Sequence, residues 1–326
     1  MEFTPEKDTY PQEISWDSHR DFLNRYRVLK AEQRFNPSVY GLIKALRAKE
    51  FRNTVELAMR GWYVTESGKK VAIEGDAEMR RSTVFYSNRI TLEIPSATET
   101  NVIQVVNDDC LAVAQEMTEA GLRPVVLNMA SRRNPGGGVV GGAGAQEETL
   151  FRRTNLFRSL YQFAPYAAQY GLEKAPQQYP LDPNFGGIYT PGATLFRLGE
   201  KEGYQLMEKP LRLDFISVAG MNRPELVNGS TEIAPHLVLA IKNKIRTILA
   251  IAARHGHTSL VLGALGCGAF RNPPRHVARL FKEVLAEPEF ENRFRRIVFA
   301  ILEDHNSHHS HNPEGNFLPF KEVFSE

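Results

Sequence analysis

The feature that most constrains this chain is a run of glycine. In the stretch Asn134–Glu148, NPGGGVVGGAGAQEE, six of the nine residues from Gly136 to Gly144 are glycine. Without a Cβ, such a loop reaches positive φ and lets a bulky anionic or polyhydroxyl ligand lie against bare backbone N–H groups. Before it, residues 123–129 (RPVVLNM) form a short apolar run of strand length. After it, residues 146–163 (QEETLFRRTNLFRSLYQF) predict one helix, with Leu150, Phe157 and Tyr161 roughly on one face and Leu156 and Leu160 beside it. The order strand, glycine loop, helix places Glu147 and Glu148 in a first helical turn, rigidly backed and aimed at whatever the loop holds.

Generic glycine motifs do not account for this stretch. Gly136, Gly138 and Gly141 fit G-x-G-x-x-G, but a dinucleotide site also wants an acid about 20 residues on, closing a second strand. There the helical pattern is still running. No Lys-Ser or Lys-Thr follows the glycines, so a P-loop fails too, and a flexible linker does not explain the flanking strand and Gln-Glu-Glu. Neighbouring glutamates on a helix point roughly 100° apart, so Glu147 and Glu148 have different roles. The helix dipole favours one of them as carboxylate, while like charge and burial push the other upward in pKa, toward a proton donor. Glycosidic cleavage needs such a pair, one group protonating the leaving oxygen and then activating water.

Composition narrows the class. The 326 residues are 42% hydrophobic and 24% charged, with a formal net charge of +2, too near neutral for a dedicated nucleic-acid binder. No apolar run approaches the roughly 18 residues of a membrane span, and MEFTPEKDTY is unlike a signal peptide, so the expectation is an intracellular (cytoplasmic) monomer. Cys110 and Cys267 make no disulfide framework, and there is no C-x-x-C for structural zinc.

Two regions follow from the pattern. Residues 1–97 are expected as an N-terminal extension packed on the core: helices over 17–31 and 39–60, the latter closed by Gly61, a hairpin over 63–73 and a strand over 83–87. Whether this extension is a lid or only packing stays open. From residue 98 to 326, strands at 101–106, 123–129, 211–219, 259–263 and 296–302 alternate with helices at 108–120, 234–254 and 275–286, which argues for a largely parallel sheet covered on both faces. Ligands of such folds lie at the carboxyl ends of the strands. Residues 164–196, rich in Tyr, Pro and Gly, are expected as a long irregular loop.

A second glycine loop, residues 263–270 (GALGCGAF), also leaves the end of an apolar strand. Two such loops at one sheet edge would make a cleft, with Gly266 and Gly268 offering amides to a diphosphate and Phe270 a ring to a ribose or base. Cys267 lacks the His or Asp spacing of a cysteine nucleophile. His305, His308, His309 and His311 carry no Cys and lie on no clear element, so a solvated loop is expected rather than a metal site. Arg132, Arg133, Arg152 and Arg153 flank the glycine stretch, as a solvated face or as an attraction for phosphates.

The stretch GGGVVGGAGAQEE resembles the signature of the poly(ADP-ribose) glycohydrolases, and NMASRRNPGGG before it is similar to the microbial-type branch of that family. The resemblance covers roughly residues 98–304 and extends weakly into the N-terminal helices. It implies an α/β macrodomain-like three-layer sandwich with a mixed, mostly parallel sheet flanked by helices. It also implies hydrolysis of ribose–ribose O-glycosidic bonds in poly(ADP-ribose), releasing ADP-ribose, with no cofactor and no metal. By the same resemblance Glu148 is the acid/base, Glu147 orients the distal ribose hydroxyls, Asn134 holds that ribose, and Gln146 supports the glutamates. Gly136, Gly137, Gly138 and Val139 pass beneath diphosphate and ribose, and Gly266, Cys267, Gly268, Ala269 and Phe270 form the diphosphate loop. Exo against endo cleavage, polymer against mono-ADP-ribose on protein or nucleic acid, and an ADP-ribose-binding module without turnover stay open.

Overall fold

The structure is a computed structural model that describes residues 19–33, 35–94, 102–228, 230–303 and 307–325. The expected helix start at Asp17 and Ser18, the strand start at Asn101, the boundary between residues 97 and 98, and His305 lie outside the described residues. Along the chain run α1 (His19–Gln33), α2 (Tyr40–Arg60), β1 (Trp62–Val64), β2 (Lys70–Ala72), α3 (Asp76–Ser82), β3 (Val84–Tyr86), β4 (Val102–Val106), α4 (Cys110–Glu119) and β5 (Pro124–Met129). Then come α5 (Gln146–Arg153), α6 (Leu156–Tyr161), β6 (Gly187–Arg197), β7 (Leu206–Val218), α7 (Pro235–Arg254), β8 (Ser259–Leu262), α8 (Pro274–Leu285), β9 (Arg296–Ala300) and α9 (Phe317–Ser325).

Local chemistry sets the helix starts. Asp109 Oδ1 accepts from the amides of Leu111 and Ala112, each at 3.1 Å, capping α4. Pro235 and Pro274 open α7 and α8, where a missing N–H leaves no bond unmade. The seven-stranded sheet has the order β3-β6-β7-β5-β8-β9-β4. Its β7/β5, β5/β8, β8/β9 and β9/β4 pairs are parallel, and β3 runs antiparallel to β6. The fold is therefore α/β with a mixed, mostly parallel sheet flanked by helices, as the alternation predicts.

The chain divides into two compact units. One comprises residues 83–133, 180–191 and 213–326. Its core is built from the inner faces of α7 and α8 against the sheet: Ile241, Ile245, Ile248, Val277, Phe281 and Val284 are buried with Leu260, Ile297 and Phe299. Each such side chain contributes about 1.5–3 kcal/mol by leaving water. The other unit comprises residues 1–82, 134–179 and 192–212, so the glycine loop and its glutamate helix group with α1, α2 and the β1/β2 hairpin.

Two expectations change. The single helix over 146–163 is broken at Thr154 and Asn155: Thr154 is extended (φ −133°, ψ 169°) and bridges Leu195, and Asn155 Oδ1 accepts from the Thr194 amide at 2.7 Å. A side chain that satisfies a neighbouring strand's backbone competes with helix continuation. The stretch over 164–196 is not wholly irregular, because it contains most of β6. Pro191 and Gly192 in the middle of that strand hid it, since both residues normally interrupt strands. Helices α3 and α9 went unread as well.

A polar cluster in the sheet unit couples stability to pH. The Tyr189 ring stacks on His255 at 3.6 Å, Tyr86 Oη and His255 Nε2 lie 2.9 Å apart, and Tyr189 Oη lies 3.0 Å from His257 Nε2. Burial pushes His255 down to about 4 from 6.5 and lowers His257, outweighing the nearby Asp214 carboxylate. Both rings are thus neutral when folded, whereas the unfolded chain takes up protons below its ordinary histidine value. Stability is full above pH 6.5 and is lost as pH falls toward 4. Thermal unfolding across that window should show a falling midpoint, and the fall should shrink in His255→Asn.

Candidate active site

The glycine loop is organised by the carboxylates that follow it. Backbone N–H groups that leave water must find acceptors. The Gly136 amide donates to Glu147 Oε1 at 3.1 Å and the Gly138 amide to Glu148 Oε1 at 2.9 Å. The amides of Gly137, Val139 and Gly141 donate to the carbonyls of Asn134, Gly136 and Gly138. The expectation of bare amides facing a ligand is therefore corrected: these N–H groups turn inward to hold the glutamates and the loop itself, and the outer side offers bare Cα.

Gly137 and Gly142 show why the loop must be glycine at these positions. Gly137 has φ +54°, and a Cβ on it would stand 2.5 Å from Glu148 Oε1 and 3.4 Å from Glu147 Oε2. Both carboxylates thus lie over its open face. Gly142 has φ +74°, and a Cβ there would run into the Lys44 carbonyl of α2, against which the loop is seated.

Glu147 is 4% exposed and Glu148 7%. One oxygen of Glu148 is fixed by Gly138, and the other, Oε2, is buried with no hydrogen-bond partner among the described residues. Unmade hydrogen bonds at buried polar atoms cost about 1–3 kcal/mol, more for charged groups. Such an atom is suited to receive a proton or a substrate hydroxyl.

Near Glu147 stands a group of phenols: Tyr161, expected on a helix face, with Tyr166, Tyr170 and Tyr179, expected only within a Tyr-rich loop. The rings of Tyr161 and Tyr170 are 4.4 Å apart and Tyr166 is 5.2 Å from Tyr161. Burial, with added repulsion from Glu147 among their neighbours, pushes Tyr161 and Tyr179 far above the ordinary phenol value. They stay protonated and put no second charge beside Glu147.

The remaining expected residues divide by exposure. Asn134, Gly137, Gly138 and Ala269 are exposed, and Gln146, Gly266, Gly268 and Phe270 are half-buried. Gly136, Val139 and Cys267 are buried instead: Val139 packs under Gly136, and the Cys267 amide donates to the Ala264 carbonyl at 3.0 Å. Burial also pushes the Cys267 thiol far up, which removes the thiolate a nucleophile needs.

The second loop belongs to the sheet unit and is held by a residue the sequence reading missed. Asn272 Nδ2 donates to the carbonyls of Met221 at 2.6 Å, Gly266 at 2.9 Å and Phe270 at 3.2 Å. An Asn four residues after Gly-x-Gly, just before Pro-Pro, is the only sequence signal for it.

Arg132, Arg152, Arg153, His308 and His311 have local partners, whereas Arg133 is exposed. Arg152 is 0% exposed and Arg153 Nε donates to the Arg197 carbonyl at 3.3 Å, so neither forms a solvated basic face. Arg132 Nη1 donates to the Leu181 carbonyl at 3.1 Å. His311 Nε2 lies 2.9 Å from the Cys267 carbonyl and His308 Nε2 3.4 Å from Glu303. Among the described residues no group of His, Cys, Asp and Glu is placed to hold a metal ion, and no helix is long and apolar enough to cross a membrane.

Comparison with known proteins follows the same residues. Residues 51–198 match the microbial-type PARG catalytic domain, PARG being poly(ADP-ribose) glycohydrolase. The structure is similar to that of the glycohydrolase from Thermomonospora curvata bound to the inhibitor ADP-HPD, with 30% identity, 86% of this chain and 98% of that one covered, and a TM-score of 0.66. It is also similar to the Deinococcus radiodurans glycohydrolase in complex with ADP-ribose, with 28% identity, 78% and 99% covered, and a TM-score of 0.59. No curated protein matches the sequence. At the identity and coverage shared with the Thermomonospora curvata enzyme, this chain belongs to the microbial-type poly(ADP-ribose) glycohydrolases.

Proposed function

We infer that this chain hydrolyses the ribose–ribose O-glycosidic bonds of poly(ADP-ribose) and releases ADP-ribose, with Glu148 as general acid and base. The observation that carries the assignment is the asymmetry of the Glu148 carboxyl group: Oε1 is held by the Gly138 amide, while Oε2 is buried and unpartnered. Protonated on Oε2, it donates to the leaving ribose oxygen as the glycosidic bond breaks. The resulting carboxylate then takes a proton from the water that attacks the oxocarbenium-like ribose. Family membership supports this reaction, since the solved relatives are glycohydrolases seen with ADP-HPD and with ADP-ribose.

Glu147, whose Oε1 accepts from the Gly136 amide, is proposed to orient the distal ribose hydroxyls. Asn134, Gly137 and Gly138 supply the exposed surface under that ribose, and Gln146 supports the helix start. In the sheet unit, Gly266, Gly268, Ala269 and Phe270 are the residues of the second loop proposed to meet diphosphate and ribose, and buried Cys267 only shapes that loop. The chain is proposed to act as a monomer inside the cell.

The test is release of ADP-ribose from labelled polymer. Glu148→Gln should lower kcat by about 10²–10⁴-fold, the worth of a general acid, while ADP-ribose still binds; unchanged turnover would remove Glu148 from the role. Gly137→Ala should cost about a hundredfold in kcat, because its methyl group displaces the Glu148 carboxylate. It should also destabilise the fold by about 1 kcal/mol, since alanine is strained at positive φ. Kinetics and thermal unfolding of the purified variant check both.

A further inference from the structure

Beneath the glycine loop, in the same unit, lies a set of buried polar side chains that the chemistry above does not use. Arg152 is on α5, one turn beyond Glu148, and its guanidinium folds back rather than out. Nη1 donates to the Ala143 carbonyl of the loop at 2.7 Å and Nε to Tyr204 Oη at 2.8 Å. Tyr204 donates in turn to Glu200 Oε1 at 3.3 Å. The Glu200 carboxylate is gripped by Arg47 of α2, through Nε at 2.5 Å and Nη2 at 2.7 Å, and accepts from Tyr26 of α1 at 2.7 Å. The chain of contacts thus runs from α1 to the loop that leads into the carboxylates.

Three features make this more than packing. Tyr204 is held at φ +56°, a strained conformation for a non-glycine residue that persists only where the surroundings impose it. Gly144 comes so close to the Arg47 guanidinium that a Cβ would collide with it, so Arg47 sets the floor on which the loop rests. Burial raises the Glu200 carboxyl, but the paired Arg47 outweighs it and holds Glu200 down at about 2, ionised at all working pH. One carboxylate thereby balances two buried guanidinium groups, Arg47 directly and Arg152 through Tyr204.

We propose that Arg152, Tyr204, Glu200 and Arg47, closed by Tyr26, are positioning residues that set the height of the glycine loop and through it the aim of the Glu148 carboxyl group. None of them touches the reacting atoms. Each acts through the Ala143 carbonyl and the floor under Gly144, and the loop amide of Gly138 transmits the setting to Glu148. The inference rests on the glycohydrolase reading for its kinetic consequences but not for its structural one.

The test compares wild type, Glu148→Gln, Tyr204→Phe and Glu200→Gln with Asp76→Asn, which breaks a different ion pair of the same unit, Arg158 Nε to Asp76 Oδ1 at 2.7 Å. Two quantities are measured: kcat and KM for ADP-ribose release, and amide hydrogen exchange of the peptide spanning residues 136–148. Tyr204→Phe and Glu200→Gln are expected to lower kcat about ten- to a hundredfold, the cost of a small misplacement of a catalytic group. KM should stay within about twofold, as for an interaction felt only in the transition state. Exchange should quicken in the 136–148 peptide in these two variants and not in Asp76→Asn, whatever its loss of thermal stability. Equal loss of stability in all three with kcat and loop exchange unchanged would overturn the proposal, and so would a rise in KM at constant kcat. Inactive wild type would overturn the glycohydrolase reading alone, because loop exchange in Tyr204→Phe and Glu200→Gln still decides the positioning role.

Discussion

The site depends on a reciprocal bond between a loop and the helix it leads into. The loop cannot bury its amides without acceptors, and the glutamates cannot be buried as carboxylates without donors. Gly136 and Gly138 on one side and Glu147 and Glu148 on the other satisfy both demands at once. The price is conformational: Gly137 between them must hold positive φ and present no side chain. This arrangement leaves Glu148 Oε2 buried without a hydrogen-bond partner among the described residues, and the proposed acid/base role rests on that atom.

A buried acidic pair needs a surrounding that adds no further negative charge and does not shift. The phenols of Tyr161 and Tyr179 supply the first condition by remaining protonated, since burial raises both far above their ordinary value. The second falls to α2 and to the arginines. Gly142 rests on the Lys44 carbonyl, Thr54 Oγ1 donates to the Arg152 carbonyl at 2.6 Å, and Arg152 reaches back to Ala143. Removing one partner from such a buried polar set leaves the other uncompensated, which is why its members act together.

Much of the fold was readable before any coordinates. Strands β5, β8 and β9 are short apolar runs, and α2, α4, α7 and α8 show helical periodicity with Gly61, Asp109 or proline at an end, so local pattern and outcome agree. The failures have identifiable causes. In β6 the Pro191-Gly192 pair imitates a break, and the single helix expected over 146–163 is cut because Thr154 and Asn155 bond to a strand some forty residues away, as the Asn155–Thr194 separation of 39 shows. Neither partner is visible from the segment itself.

At the site the division is equally specific. The motif of glycines followed by Gln-Glu-Glu determined which two carboxylates are proposed to carry the chemistry and that glycine is needed beside them, because these depend on residue type and spacing within fifteen positions of chain. Only the folded chain decided that the loop amides face inward, that Gly136, Val139 and Cys267 are buried, and that Arg152 supports the loop instead of meeting solvent. It also brought Tyr26, Arg47, Glu200 and Tyr204 to one place beneath the loop. The physical reason is that orientation and burial are set by partners far apart in sequence. A spacing rule can state that a charge is near a site, but the acceptor it finds after leaving water determines whether it binds, supports or only packs.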